Sequence, residues 1–339
     1  MRIAQVSTLA TPVREKGSGS IEGLVWLLTR ELVRMGHDVT VFAAAGSEVC
    51  GELVATLPGP YATAGSPDDW QLCEWINLCR AVEQSGRFDV LHSHAYLWGL
   101  PLELLSRAPM VHTLHVLPDP EEDSARLRAM VCGACVTAIS HYQWSAFPEF
   151  PPAPVIYHGV DASQFTFQPQ PEDYVCFLGR FTAEKGPLQA IAAARVLGVR
   201  LLLAGPHNDY YRQHLKPLVD GRSVEYVGPV GGAERDQLLG GARALLYPLT
   251  YPEPFGLVLV EAMMCGTPVV AMRLGAVPEI VDEGITGYCA DSEEEFARQV
   301  FPSFALDRSR VRERASARFS AERMAGEYAR LYHRLIEAT

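Results

Sequence analysis

Short apolar runs alternate along the chain with longer stretches whose apolar positions fall three or four apart, and that alternation predicts a repeating strand-helix order. Arg2–Ser7 reads as a first strand, a loop ends in Gly17-Ser18-Gly19-Ser20, Ile21–Met35 reads as an amphipathic helix, and Val39–Ala44 as a second strand after the stop signal Gly36-His37-Asp38. Further strands are expected at Asp89–His92, Met110–His115 and Cys135–Ser140, with a helix opened by the acidic run Asp119–Asp123. Prolines crowd residues 148–154 and recur between 165 and 173, after which the alternation starts again with strands at Tyr174–Leu178, Val199–Ala204, Val224–Val227, Ala244–Tyr247 and Pro268–Ala271. The pattern predicts two doubly wound parallel-sheet domains, 1–162 and 163–320. Two C-terminal helices follow, Arg308–Arg318 and Ala321–Ala338, and the apolar positions Met324, Tyr328, Leu331 and Leu335 of the last suit packing back on the first domain.

One segment breaks the pattern. From Phe255 to Cys265 nearly every residue is apolar, so a helix of about three turns there must be covered all round, and Glu261 stands out within it. A carboxylate in such a helix needs a hydrogen-bonding partner. Glu253 lies eight positions earlier, about 12 Å along a helix axis, too far for two acids to flank one scissile bond at about 5.5 Å. The spacing suits a grip on two ends of a long ligand, with Gly256 letting an anion approach a helix N-terminus between them, which describes a nucleotide-sugar. The same residues also read as an N-capping Glu253 and a Glu261 paired with a nearby arginine. Upstream, Gly179 ends a strand, Arg180 follows, and Lys185 stands at the mouth of the next helix, two cations placed to hold a diphosphate without metal. An exposed arginine and lysine on a loop is the alternative. In the first half, His92 and His94 sit at a strand's carboxyl end, where ligands gather in open α/β sheets, as do His115 and Ser140. A satisfied structural histidine suits His92, and a helix cap suits Ser140.

Composition narrows the function classes. The 339 residues accommodate two domains, and a net charge of −11 argues against a nucleic-acid partner. Only three of the 29 basic residues are lysines, Lys16, Lys185 and Lys216, so each carries weight. The first strand begins at once, no signal pattern precedes it and no apolar run reaches membrane-spanning length, so a cytoplasmic protein is expected. The arginine-rich helix reads as a solvated face, with membrane contact the less favoured alternative. Cys132-Gly133-Ala134-Cys135 precedes a strand instead of following one, which reads as two buried thiols and not a redox motif. No D-x-D occurs, so no metal or other cofactor is expected. A NAD-binding reading fails, because the first glycine loop is too long, lacks the G-x-G-x-x-G spacing, and no acid ends the second strand.

The second half resembles, along nearly its whole length, the retaining glycosyltransferases of family 4, which have the GT-B fold. The shared marks are His158-Gly159-Val160-Asp161, the Gly179-Arg180 and Lys185-Gly186 pairs, the Glu253/Glu261 spacing, Glu261–Val269, and Gly275-x-x-Pro278-Glu279-Ile280-Val281. The first half matches through its glycine loop, Gly36-His37-x-Val39, and Asp89–His94. The resemblance implies two Rossmann-like domains facing across a cleft, the last helix returning to an N-terminal acceptor-side domain, and a C-terminal domain that binds the nucleotide-sugar. It implies donor contacts at Gly19, Gly179, Arg180, Lys185, Val230, Glu253, Pro254, Phe255, Gly256, Leu257 and Glu261. Catalytic roles fall to Arg180, Lys185, His94 and Glu253. The implied reaction is metal-independent transfer with retention from a UDP-sugar, as the commonest family donor, to a soluble acceptor such as an antibiotic oligosaccharide or another small glycan. Alternatives are a lipid or lipopolysaccharide acceptor, or a nucleotide-sugar isomerase or binding module on the same fold. His158 stands where the family has Asn, the first glycine pair is imperfect, and Gly275-Ala276 replaces a common Gly-Gly.

Overall fold

A computed structural model describes residues 1–15, 20–63, 69–130 and 134–338, which divide into two compact units, Met1–Gly159 with Ala321–Thr339, and Val160–Ser320. The glycine loop at residues 17–19, and with it Gly19, lies outside the described residues, as does Cys132. Cys135 is half-buried, and burial pushes its thiol up to about 11.

The first unit runs β1 (Arg2–Val6), α1 (Ser20–Arg34), β2 (Asp38–Ala44), β3 (Glu52–Leu57), α2 (Trp70–Glu83), β4 (Val90–Ser93), β5 (Met110–Thr113), α3 (Pro120–Met130), β6 (Cys135–Thr137) and α4 (His141–Trp144). Its six strands are parallel in the order β3-β2-β1-β4-β5-β6. Alternate residues of the central strands point to opposite faces, so Ile3, Val41, Val90 and Val111 pack on one side against Val25 and Leu28 of α1. Ala4, Val6, Phe42 and Leu91 face α2 on the other.

The second unit runs β7 (Val175–Leu178), α5 (Pro187–Leu197), β8 (Leu201–Ala204), β9 (Val224–Gly228), α6 (Gly232–Gly241), β10 (Leu245–Tyr247), α7 (Leu257–Met264), β11 (Val269–Met272), α8 (Val277–Ile280), β12 (Gly287–Ala290), α9 (Glu293–Ser303) and α10 (Arg308–Phe319). Its sheet is also parallel, in the order β12-β11-β10-β7-β8-β9. Counted from its own first strand, this is the strand order of the first unit. The last helix, α11 (Ala321–Ala338), packs Met324, Tyr328 and Tyr332 into the core beside β1, as its apolar spacing predicts.

Three expectations need correction. The apolar helix starts at Leu257, two residues late and only eight residues long, because Gly256 takes a left-handed φ of +91° that breaks the helical path. Strands β3 and β12 escaped the pattern, β3 because its half-exposed residues carry no clean alternation and β12 because it opens on glycine. The arginine-rich α10 turns only part of its surface, including Arg310 and Arg314, to solvent. Arg308 is 8% exposed and donates to the carbonyl oxygens of Gln168, Gly240 and Ala242 and to Thr267 Oγ1 at 2.6–2.8 Å. Arg312 donates to the carbonyls of Phe165 and Met264, and Arg314 and Arg318 both reach Asp282. The helix uses its cations to satisfy orphan carbonyls within the second unit.

Candidate active site

In the second unit the chemistry gathers where the carboxyl ends of β7 and β10 meet the loop before α7. Gly179 follows β7, its N–H donating to Ala204 O (3.2 Å), and a side chain at the facing Gly205 would run into the Gly179 carbonyl and the Phe181 ring. Arg180 comes next, exposed; its carbonyl accepts from Thr182 N (3.1 Å), and its guanidinium has no hydrogen bond or ion pair among the described residues. A short turn of helix then brings Lys185 to Gly186, whose left-handed φ of +72° and contact with the Pro248 carbonyl leave no room for a side chain.

Lys185 does not stand free. Its ammonium pairs with Glu253 Oε2, and the same oxygen accepts from Tyr247 Oη at 2.8 Å. Tyr247 closes β10; burial and the Glu253 carboxylate push its phenol well above the ordinary tyrosine value, so it stays protonated and donates to Glu253. Glu253 is thus no N-cap: α7 is preceded by Gly256, with no side-chain cap. Its backbone is pinned as well, Glu253 O accepting from Ala276 N (2.8 Å) where Gly275 turns at φ +64° against it.

Glu261 has its partner in Arg235 of α6 (Nη1 to Oε1, 3.0 Å), whose guanidinium also lies over the Phe165 ring at 5.6 Å. Burial raises the Glu261 carboxyl, and Arg235 pulls it back. The arginine-paired alternative for Glu261 is therefore the arrangement present. Phe255 turns its ring into the core against Phe319 (6.0 Å), which leaves its backbone, Pro254 and the Gly256–Leu257 start of α7 at the site. Val230 is half-buried in the turn between β9 and α6. Arg235 and Tyr247 were missed from sequence. Tyr247 carried a signal, a polar group at a strand's carboxyl end, whereas Arg235 carried none.

In the first unit the corresponding sheet end is filled by imidazoles. His92 is structural: Nδ1 meets Tyr332 Oη at 2.7 Å and Nε2 meets Thr113 Oγ1 at 2.6 Å. His94 Nε2 meets Gln5 Oε1 (2.7 Å), and its Nδ1 meets His115 Nε2 (2.9 Å). The rings of His94 and His115 stack at 5.1 Å, and those of His115 and His158 at 5.3 Å. Burial depresses all four, His115 to about 3, so each is neutral near pH 7.

Each neutral ring carries one proton, and its partners decide on which nitrogen. Gln5 donates through Nε2 to Tyr332 (3.2 Å), so its Oε1 accepts and His94 Nε2 carries the proton. His94 Nδ1 is then an acceptor, His115 Nε2 donates to it, and His115 Nδ1 is left as a bare lone pair, buried and without a partner. Both nitrogens of His94 are spent internally, and His115, the weaker candidate in the sequence, carries the open position. Ser140 caps α4, its Oγ accepting from Gln143 N at 3.0 Å. Among the described residues, no helix is long and apolar enough to cross a membrane and no group of His, Cys, Asp or Glu is arranged to hold a metal.

Comparison with known proteins agrees with this architecture. The model for "Glycosyl transferases group 1" matches residues 161–316, and that for "Glycosyltransferase Family 4" matches residues 21–164. A D-inositol 3-phosphate glycosyltransferase of Mycolicibacterium smegmatis is 30% identical, over 86% of this chain and 80% of that protein. Among solved structures, AviGT4, a glycosyltransferase involved in avilamycin A biosynthesis, is 27% identical with a TM-score of 0.74, covering 100% of this chain and 99% of its own. Sucrose-phosphate synthase from Thermosynechococcus elongatus shares the fold, with a TM-score of 0.80 at 22% identity over the full length of both chains. Two parallel sheets of one strand order, the glycine-arginine and lysine-glycine turns, and the paired acids around α7 place the chain in the family 4 glycosyltransferases of GT-B fold.

Proposed function

We propose that the chain transfers a sugar, with retention of configuration and without a metal ion, from a nucleoside-diphosphate sugar to a hydroxyl of an antibiotic oligosaccharide or similar small glycan. The observation that carries the reading is Arg180, a cation with no partner of its own at the carboxyl end of β7. It stands in the same unit as a lysine-carboxylate pair and the open start of a helix. The diphosphate takes Arg180 and the Lys185 ammonium, and Glu253, freed from Lys185, accepts from the sugar hydroxyls beside the Phe255–Leu257 backbone. Glu261, held in place by Arg235, takes the ribose hydroxyls. As the glycosidic bond breaks, negative charge grows on the departing diphosphate, and fixed cations stabilise it most there. The leaving phosphate oxygen accepts the acceptor's proton on the same face, so the chain needs no separate strong base. The neutral His94 has no proton-accepting nitrogen to spare and orients its neighbour His115.

UDP is the expected carrier, on the frequency of UDP-sugars in the family. The AviGT4 likeness supports an antibiotic oligosaccharide as acceptor. The inositol phosphate relative favours a second reading, a phosphorylated polyol. Calorimetric titration with UDP, GDP, ADP and dTDP in the presence of EDTA tests the donor site. Tight binding of one of them, weakened by Glu261→Ala, is expected. Binding that requires a divalent ion, or that ignores Glu261, overturns it.

A further inference from the structure

A cavity of about 310 Å³ lies within the first unit, at the carboxyl end of its sheet. One wall is aromatic: Tyr61 and Trp70 stand 6.3 Å apart, and Trp70 meets Trp98 edge to face at 6.5 Å. Opposed to them in chemistry are two polar side chains. Glu74 of α2 is 2% exposed and accepts through Oε1 from Leu9 N (2.9 Å) and Tyr61 Oη (3.0 Å), while its Oε2 has no partner. His115 brings the lone pair on Nδ1 that the Gln5–His94 relay leaves buried and without a partner. None of the described residues lining the cavity is lysine or arginine.

Buried polar atoms without partners specify what must complete them. His115 Nδ1 is an acceptor and Glu74 Oε2 is one when ionised, so a ligand must bring donors, and uncharged hydroxyl groups donate to both and accept from a protonated Glu74. A phosphate fits poorly: it brings acceptors to the His115 lone pair, meets no cation among the described residues lining the cavity, and crowds a carboxyl that burial already pushes up to about 7. The aromatic faces favour a ring with an apolar C–H or π face, and the volume fits about one such ring with its substituents.

We propose that this cavity is the acceptor site and selects an uncharged, hydroxyl-bearing ring, aryl-substituted or partly deoxygenated, whose hydroxyls donate to Glu74 Oε2 and His115 Nδ1, against any phosphorylated polyol. The proposal rests on the transferase reading for the fate of that ring, and it makes Glu74 and His115 specificity-determining residues. Quenching of tryptophan fluorescence by phenyl β-D-glucoside and by D-inositol 3-phosphate tests it directly, with UDP titrated in parallel. Saturable quenching by the glucoside alone is expected. Trp70→Ala and Glu74→Gln should each weaken it at least tenfold while UDP affinity stays within twofold. Trp70 is partly exposed, so its replacement reports on the site even where the buried Glu74 variant does not fold. Saturable binding of D-inositol 3-phosphate that displaces the glucoside overturns the proposal, as does a glucoside affinity unchanged in Trp70→Ala. Failure of the wild-type protein to bind any nucleotide, with glucoside binding intact, overturns the donor reading and leaves the cavity's selectivity standing.

Discussion

The two units share one strand order, and each places its polar chemistry at the carboxyl ends of the strands, yet they solve opposite electrostatic problems. The first stacks four imidazoles that burial keeps neutral, wired by Gln5, Thr113 and Tyr332. The second pairs charges, Lys185 with Glu253 and Arg235 with Glu261, and leaves Arg180 over. What remains unpartnered after each internal network is complete defines the ligand each unit can take. A leftover cation calls for an anion, and leftover lone pairs call for hydroxyl groups.

Acid should separate the units most sharply. His92, His94, His115 and His158 have folded values below the ordinary 6.5, so their contribution is present above that pH and is lost as pH falls through it, when the unfolded chain takes protons that the native one refuses. Each contributes a slope of up to roughly 1.4 kcal/mol per pH unit. Glu74 opposes them with one group: its raised value favours the fold at low pH, and that contribution disappears as pH rises through about 7. Hydrogen exchange followed between pH 7 and 5 should show residues 1–159 losing protection before residues 160–320. Simultaneous loss would show that the imidazoles do not distinguish the units.

Lys185→Ala removes the cation from a pair whose side chains are only 18% and 14% exposed, and should cost about 3 kcal/mol in urea unfolding as well as transfer. Adding Glu253→Gln should recover most of the stability and none of the transfer. A single variant as stable as the parent would mean the pair is not linked to the fold. Arg180→Ala should do the reverse. Turnover should fall roughly 100- to 1000-fold, a loss of about 2.7–4 kcal/mol in transition-state stabilisation. Unfolding should stay within about 0.5 kcal/mol, because the guanidinium is exposed and holds nothing. Unchanged turnover would remove Arg180 from the donor site. The smallest effect belongs to Tyr247→Phe, which deletes one hydrogen bond to Glu253 and should cost about 1 kcal/mol in thermal unfolding. A cost above about 3 kcal/mol would make Tyr247, and not Lys185, the main support of Glu253.

Much of the proposed donor side was legible from residues alone. The glycine turns around Arg180 and Lys185 and the solitary acid in α7 each violate a local rule, and such violations mark functional positions. Gly186 and Gly275 proved to be close backbone approaches. The proposed acceptor side was far less legible. Glu74 lies on a helix with no more than an ordinary mixture of polar and apolar residues, and nothing local shows that its second oxygen is sealed away without a partner. His94 drew notice by its place at a strand end, yet the unpartnered lone pair belongs to His115, one step along a relay that no spacing encodes.

By itself, the sequence determined most of the elements, the division into two α/β units and the family, because strand and helix formation follow periodicities read within a few residues. Tertiary structure alone decided which acid meets which cation, which nitrogen of each imidazole holds its proton, and which buried polar atoms are left without a partner. Lys185 meets Glu253 across 68 positions, His94 meets Gln5 across 89, and His92 meets Tyr332 across 240. Contacts of that range exist only once the strand order has been assembled, and a buried proton or charge takes its state from whatever the fold has then brought within hydrogen-bonding distance.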